Sequence, residues 1–258
     1  MGPKMNALSV ENVWKRFASL MVLEDAKLDV ASGERHAIIG PNGAGKTTLF
    51  NIVSGLLRPD SGRVFLGTAE ITGLSPDKIS LMGLSRTFQV TNLLMNLTAY
   101  ENVRLAVQSR LKMLHNALTR VERIPGIRER AEEKLTLVNL EHKMSEQAGK
   151  LSYGEQRQLE IGVALATDPD VLLLDEPTAG MSPVETERVS QLILSLPRTV
   201  TIVFVDHDMD VVFSLAHRVT VLHAGRVIAQ GPKDVVRCLS EVMDAYLGHD
   251  RSQECLLS

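Results

Sequence analysis

The stretch Gly40-Pro41-Asn42-Gly43-Ala44-Gly45-Lys46-Thr47 decides the fold class of this chain. Its spacing is that of a phosphate-binding loop: glycine, four residues, a second glycine, lysine, and serine or threonine. The run from Arg35 to Ile39 before it predicts a short buried strand. Thr47 to Val53 after it predicts a helix that Gly55 ends. The order strand, loop, helix is the context in which this motif binds phosphate.

The loop residues have separate tasks in this interpretation. Glycines let consecutive backbone N–H groups point at phosphate oxygens, and the following helix adds the positive end of its dipole. We expect Lys46 to reach the β- and γ-phosphates and the Thr47 hydroxyl to ligate Mg²⁺. The alternative, a glycine-rich turn with a solvated lysine, gives no reason for the flanking strand and helix.

A second candidate site lies where the apolar run from Val171 to Leu174 ends in Asp175 and Glu176. Such a run is typical of a buried parallel strand, whose carboxyl end meets the ligand crevice. We expect Asp175 to hold Mg²⁺ through its water shell. Because side chains alternate along an extended chain, Glu176 is expected to point toward a water that attacks the γ-phosphate, as general base. The alternative is a strand that simply ends in a solvated acidic turn.

Leu151-Ser152-Tyr153-Gly154-Glu155-Gln156-Arg157, followed by apolar residues at helical spacing, predicts a helix led by a serine and glycine turn. Ser152 offers a hydroxyl and Gly154 an unobstructed backbone N–H at the helix N-terminus, a combination suited to a γ-phosphate. Taken alone, the segment would more often be an ordinary N-cap. Its place ahead of the acidic strand favours a second anion site.

Composition excludes several other classes of protein. The 258 residues are 44% hydrophobic, which is typical of a folded globular chain, and 28 Lys and Arg balance 31 Asp and Glu without a concentrated basic stretch. Nucleic-acid binding is therefore not expected. The apolar runs are far shorter than the roughly 20 residues of a membrane span, and the N-terminus has no signal-peptide pattern, so we expect a cytoplasmic protein. Cys238 and Cys255 form neither a disulfide framework nor a metal pair.

The rest of the chain predicts an α/β fold with a parallel core sheet, an antiparallel β edge and a helical subdomain. We expect one domain over residues 1–258, with the helical subdomain at 97–168 and a flexible tail at 249–258. The expected strands, besides the one before the loop, are Leu8 to Val13, Ala26 to Val30, Arg63 to Leu66, Val171 to Leu174, Val200 to Val205, Arg218 to Leu222 and Arg226 to Gln230.

These motifs, in this order, resemble the ATP-binding subunits of ABC transporters over nearly the whole chain. The order is the phosphate loop, Gln89 after Arg86-Thr87-Phe88, the Leu151 to Gln156 signature, Asp175-Glu176, and His207. The resemblance implies a P-loop ATPase of the ABC type that uses ATP and Mg²⁺. Further stretches look like the ATPase subunits of branched-chain amino acid importers: 159–162, 175–181, 205–209 and 245–248. Subunits for urea, other amides, organic acids and lipopolysaccharide export are similar.

The resemblance also implies partners. In this family two ATPase subunits, identical or paralogous, meet head to tail, so that ATP on the phosphate loop of one is covered by the signature loop of the other. Integral membrane permease subunits would dock near Gln89 and residues 90–97, which places the chain on the inner face of the cell membrane. Importers of this kind also use an extracytoplasmic solute-binding protein.

Residue roles follow by the same resemblance. Phe17 would stack on adenine, although a lone phenylalanine after a strand is more often core; Gln89 would contact Mg²⁺ or the attacking water; His207 would contact the γ-phosphate and hold Glu176. The predicted catalytic residues are Glu176, His207, Gln89 and Lys46, and the predicted Mg²⁺ ligands are Thr47, Gln89 and Asp175. The predicted nucleotide-binding residues are Phe17, Gly40, Pro41, Asn42, Gly43, Ala44, Gly45, Lys46, Thr47, Thr48, Ser152 and Gly154.

Three residues depart from the family pattern. Tyr153 replaces the commonest glycine, Glu155 replaces glutamine, and Ser182 stands where an aspartate is frequent after Glu176. Two other classes of protein fit the sequence less well. A soluble regulatory ABC ATPase would show tandem modules or coiled-coil insertions, and a small-molecule phosphotransferase would not need the signature.

Overall fold

The structure is a computed structural model that describes residues 6–87, 93–110 and 126–239. Its strands are β1 (Asn6–Phe17), β2 (Leu20–Ala31), β3 (Arg35–Ile39), β4 (Ser61–Leu66), β5 (Ala69–Glu70), β6 (Leu84–Arg86), β7 (Val171–Asp175), β8 (Thr201–Val205), β9 (Arg218–His223) and β10 (Arg226–Pro232). Its helices are α1 (Lys46–Val53), α2 (Pro76–Leu81), α3 (Ala99–Arg110), α4 (Ile127–Leu137), α5 (Tyr153–Leu165), α6 (Pro183–Ser195), α7 (Met209–Leu215) and α8 (Lys233–Val236). Two 3₁₀ turns lie at Glu141–Lys143 and Ala148–Lys150.

The central sheet has six strands in the order β10-β9-β3-β8-β7-β6. Strands β9, β3, β8, β7 and β6 are parallel, and β10 pairs with β9 in the antiparallel sense. This confirms the predicted parallel core sheet. Sequence reasoning missed β6, which is only three residues long and follows the short helix α2.

A second sheet of four strands in the order β2-β1-β4-β5 is antiparallel throughout. It confirms the predicted antiparallel β edge, but β1 and β2 each run for 12 residues, well beyond the predicted segments. Register shifts within the β1–β2 pair explain the difference, because irregular pairing interrupts the strict alternation from which strand ends are read.

The central sheet is buried on both faces. Leu172 and Leu174 belong to one hydrophobic cluster with residues of α5, α6 and α7, whereas Val171 and Leu173 belong to another with α1 and the four-stranded sheet. Strands covered on both sides have no solvent-facing residues, so β7 and β8 are buried along their whole length. This is why they read as continuous apolar runs in the sequence.

The described chain between β6 and β7 is helical, and the apolar faces of α3, α4 and α5 join one cluster with the central sheet. The boundaries of the helical subdomain at 97–168 stay a prediction. The predicted tail at 249–258 lies outside the described residues. Over residues 6–87, 93–110 and 126–239, no helix is both long and apolar enough to cross a membrane.

Candidate nucleotide site

Three loops meet at the carboxyl edge of the central sheet. The phosphate loop follows β3, His207 lies two residues after β8, and Glu176 directly follows β7. Because β3, β8 and β7 are parallel neighbours in that order, their carboxyl ends share one edge. Ligands of open α/β sheets bind at this edge.

The phosphate loop depends on its glycines. Gly45 has a φ of 104°, and a Cβ there would lie 2.8 Å from the backbone oxygen of Val22, so a side chain would be both strained and crowded. Gly43 has a φ of 81°, and a Cβ there would meet no described atom within 4 Å. Gly45 is also the N-cap of α1, which places the first N–H groups of that helix against the loop. Among the remaining loop residues, Ala44 is buried, Asn42 and Thr47 are exposed, and Pro41 and Thr48 are half-buried.

The Lys46 side chain folds back over this loop. Its Nζ donates to the backbone oxygens of Gly40 and Pro41, at 2.5 and 3.0 Å. Burial lowers the pKa of Lys46, and the negative charge of Glu176 opposes that shift. The ammonium group therefore lies against the loop carbonyls and is influenced by the acidic end of β7. Its contact with the β- and γ-phosphates stays a prediction.

Asp175 is the last residue of β7 and is 3% exposed. Its Oδ2 accepts a hydrogen bond of 2.7 Å from Nη2 of Arg86, which forms a buried ion pair. The sequence did not predict this pair. A carboxylate and the Thr47 hydroxyl are hard oxygen donors, which fit the preference of Mg²⁺. Gln89, the third predicted ligand, lies outside the described residues.

Glu176 leaves the extended conformation of β7. Its φ is 47°, a left-handed conformation that is uncommon for a residue with a Cβ. The Val205 backbone oxygen accepts from its N–H at 2.8 Å, and Nη2 of Arg157 donates to its carbonyl at 2.9 Å. The expectation that strand alternation sets the orientation of the Glu176 side chain is therefore wrong. Its orientation is set by a turn in which Val205 and Arg157 bond the Glu176 backbone. Functional sites often retain local backbone strain of this kind.

His207 contacts the Glu176 side chain, with Nε2 at 2.8 Å from Oε1. The acidic residues on either side of His207 hold the backbone of this loop. Asp206 accepts from the backbone N–H groups of His207 and Asp208, at 2.7 and 3.0 Å, and from the Thr178 hydroxyl at 2.7 Å. Asp208 caps α7. These carboxylates shape the loop, and the imidazole itself faces Glu176.

The signature residues lie at the N-terminus of α5. Ser152 forms a capping box with Glu155: its Oγ accepts from the Glu155 N–H at 3.3 Å, and its own N–H donates to the Glu155 carboxylate at 2.9 Å. The Gly154 N–H donates to Oε1 of Glu185 at 3.2 Å. The sequence predicted that this N–H is unobstructed, whereas in the structure it is already bonded to Glu185. Glu185 in turn forms a capping box with Ser182 at the start of α6.

Tyr153 and Glu155, which depart from the family pattern, each form a polar contact within the chain. The Tyr153 hydroxyl donates to the Ala179 carbonyl at 3.3 Å, in the loop after Glu176. Glu155 accepts from Nζ of Lys143 at 2.7 Å. Among the residues that the structure describes, no hydrogen bond or ion pair connects Ser152 or Gly154 to residues 40–48.

Phe17 ends β1 and is 47% exposed, so it is not a core residue. The Nζ of Lys15 lies 5.6 Å from the centroid of its ring. An exposed aromatic face at a strand end is compatible with the predicted stacking on a base.

Comparison with known proteins decides the family. Residues 23–179 match the ABC transporter family. The chain is 36% identical over 251 residues to the high-affinity branched-chain amino acid transport ATP-binding protein LivG of Escherichia coli (strain K12), covering 93% of this chain and 97% of that protein. The chain belongs to the ABC transporter family.

Solved structures agree with this assignment. The crystal structure of an ATP-binding cassette of an ABC transporter in its ADP conformation superposes with a TM-score of 0.82 at 30% identity, over 95% of this chain and 99% of that chain. A dimeric post-hydrolysis state of an ATP-binding cassette bound to ADP and Pi superposes with a TM-score of 0.71 at 29% identity, over 87% and 98% of the two chains. The protein is thus an ATPase subunit that energises an ABC transporter.

Sequence reasoning missed several polar residues that this ABC ATPase uses to build its site. They are Arg86, Arg157, Glu185 and the Thr178–Asp206 pair. One signal could have revealed Arg157. Arg157 and Glu160 are charged residues in an otherwise apolar helical face, and charged groups at such positions are paired when buried. Arg86 and Glu185 carried no comparable signal, since each acts on a residue distant in the sequence.

Proposed function

We propose that this subunit powers the import of branched-chain amino acids by hydrolysing Mg·ATP at the carboxyl edge of its central sheet. The observation that carries the proposal is the contact of 2.8 Å between Glu176 Oε1 and His207 Nε2, beside the phosphate loop and Lys46. The named relative LivG supports the choice of solute.

Binding of the triphosphate is the task of the phosphate loop. The N–H groups at the start of α1 and the helix dipole favour the anion, and Lys46 transfers its hydrogen bonds from the Gly40 and Pro41 carbonyls to phosphate oxygens. Phe17 stacks on the adenine with its exposed face.

Asp175, Thr47 and Gln89 would hold Mg²⁺. The ion, when bound, neutralises charge on the phosphate oxygens. The chain's own contribution is to keep the Asp175 carboxylate fixed, and the ion pair with Arg86 does this at the end of a fully buried strand.

Glu176 acts as the general base. Its carboxylate accepts the proton of the attacking water, and His207 orients the carboxylate by a hydrogen bond to Oε1. The left-handed backbone at Glu176 turns the chain out of β7, and the carboxylate contacts His207.

A second ATPase subunit completes each site. The signature groups Ser152 and Gly154 make no hydrogen bond to this chain's own residues 40–48 within the described part of the structure, so the phosphate they bind belongs to a partner. The dimeric relative bound to ADP and Pi supports this arrangement. ATP stabilises the closed pair, and hydrolysis removes the γ-phosphate contacts that hold it.

Permease subunits in the membrane receive the resulting movement, which places this chain on the inner face of the cell membrane. They dock near Gln89 and residues 90–97, where Leu94 and Met95 are 52% and 38% exposed. An extracytoplasmic solute-binding protein delivers the amino acid to the permease.

Uptake of labelled leucine tests the proposal in cells that carry or lack the gene. We expect uptake to disappear with the gene, to return with the wild-type chain and not to return with Lys46→Ala. Equal leucine uptake in both cells, together with loss of uptake of a labelled amide or organic acid, would overturn the choice of solute.

A further inference from the structure

Arg86 ends β6 and lies between the phosphate-loop helix and the acidic strand. Strand β6 pairs in parallel with β7, so that Arg86 is opposite Leu173, two residues before Asp175. The Arg86 side chain is only 7% exposed. A guanidinium so fully removed from water is costly unless its hydrogen bonds are made by the protein.

The hydrogen bonds donated by Nη1 and Nη2 run to two structural elements. Nη2 donates to Asp175 Oδ2 at 2.7 Å, at the end of β7. Nη1 donates to Oδ1 of Asn51 at 2.7 Å and to Oγ of Ser54 at 2.9 Å, both in or directly after α1. The guanidinium also lies 5.5 Å from the centroid of the Phe50 ring. One side chain thus connects Asp175 to the helix that begins at Lys46.

The geometry of this connection requires arginine. The planar guanidinium presents donors in fixed directions, one nitrogen toward the carboxylate and the other toward α1, which a single ammonium group cannot reproduce. The Asp175 side chain is only 4% exposed. Its ion pair with Arg86 therefore leaves the carboxylate few alternative rotamers. The distance between Asp175 and the phosphate loop is therefore set through Arg86.

We propose that Arg86 is a positioning residue for Mg·ATP, which orients the Asp175 carboxylate toward the metal and keeps it in register with the phosphate-loop helix. The inference rests on the proposed function, because it takes Asp175 as a metal ligand. It adds a residue that acts on the metal site through Asp175 and α1.

Metal affinity tests this role directly. In a Glu176→Gln background, which prevents turnover, Mn²⁺ serves as the probe for the Mg²⁺ site, and electron paramagnetic resonance reports the free ion in the presence of saturating ATP. We expect Arg86→Gln to weaken Mn²⁺ binding about tenfold, the usual effect of removing a partner of a metal-ligating carboxylate. Metal-free ATP binding should change by less than about twofold, since the phosphate loop is untouched. Arg86→Lys should restore only part of the metal affinity.

Arg63→Gln is the matched control, because Arg63 is an exposed arginine that pairs with Glu11 on the four-stranded sheet. It should leave Mn²⁺ affinity unchanged. A loss of thermal stability in Arg86→Gln with unchanged Mn²⁺ affinity would show a purely structural role and overturn the proposal.

Asn51→Ala keeps the test decisive if Arg86→Gln does not fold. It removes one anchor of the guanidinium and leaves the ion pair with Asp175 in place. We expect it to weaken Mn²⁺ binding about threefold, less than the loss of the whole partner. Unchanged Mn²⁺ affinity in a folded Asn51→Ala variant would contradict the inference. The proposed function fails separately, if the Glu176→Gln parent binds no ATP and no Mn²⁺.

Discussion

The two anion sites of this chain are built in opposite ways. At the carboxyl edge of the sheet, Lys46, Glu176 and His207 come from three different loops and converge. At the start of α5, two backbone N–H groups donate to carboxylates of the same chain, that of Ser152 to Glu155 and that of Gly154 to Glu185. In our proposal, the first site receives phosphate once Lys46 leaves the Gly40 and Pro41 carbonyls. The second exchanges the Glu185 carboxylate for the partner's phosphate, so its closure is coupled to movement of Glu185.

Glu176→Gln is the change with the largest expected effect at the first site. The amide keeps the shape of the side chain but cannot accept a proton, so ATP turnover should fall about a thousandfold. Nucleotide should remain bound and hold the two subunits together. Phosphate release and gel filtration with Mg·ATP measure the two effects. Undiminished turnover would mean that another group is the base.

Lys46→Ala should weaken ATP binding next most strongly. It removes charge-assisted hydrogen bonds to the phosphates, worth about 2 kcal/mol, or about thirtyfold in affinity. Calorimetric titration with ATP measures the change, and Lys150→Ala, an exposed lysine outside the loop, is the control. Equal ATP affinity in the two variants would contradict the phosphate-loop assignment.

Glu185→Gln sharpens the comparison at the second site. Glutamine lacks the charge that would repel a γ-phosphate, and its single carbonyl oxygen can accept from the N–H of Ser182 or of Gly154 but not from both. We expect ATP-dependent pairing of two subunits to strengthen about threefold. Analytical ultracentrifugation measures it, with Glu187→Gln on the same helix as the control. Weaker pairing would mean that Glu185 supports the closed state instead of competing with it.

Glu155→Gln should have the smallest effect, on the pH dependence of stability. Partial burial alone would raise the pKa of Glu155, but the hydrogen bonds from Lys143 and the Ser152 backbone lower it below its ordinary value. A lowered pKa stabilises the folded state above the ordinary pKa, and this contribution is lost as the pH falls through the folded pKa. The variant should therefore have a slightly lower Tm at neutral pH and a shallower fall in Tm on acidification. Glu141→Gln, exposed on the 3₁₀ turn that contains Lys143, should match the wild-type chain in such a series.

The fold was predictable where burial is uniform and less so where pairing is irregular. Strands β3, β7 and β8 are covered on both faces, so their apolar runs coincide with their boundaries to within a residue. Strands β1 and β2 contain register shifts and half-exposed residues, and their ends were misplaced by several residues. The short elements α2 and β6 were missed because six and three residues are too few to show a period.

The site was predictable where a motif fixes the residue types. The phosphate loop, Glu176 and His207 lie together at one sheet edge, as their order in the chain had indicated. The contacts that hold them were hidden, because they join residues far apart in the sequence. Arg86 reaches Asp175 across 89 residues, and Glu185 reaches Gly154 across 31. The left-handed turn at Glu176 had no signal, since glutamate rarely adopts it.

Ser152 caps the N-terminus of helix α5, and a little more than one turn later Arg157 of this helix donates to the carbonyl of Glu176. In the head-to-tail pair that we propose, the first of these residues would face the nucleotide of the partner, and the second would support the proposed base for the chain's own nucleotide. A shift of this helix along its axis would displace both groups by the same amount. Hydrolysis at the two nucleotide sites of a pair would then be coupled, because a single helix contacts one site at its N-terminus and supports the other through Arg157.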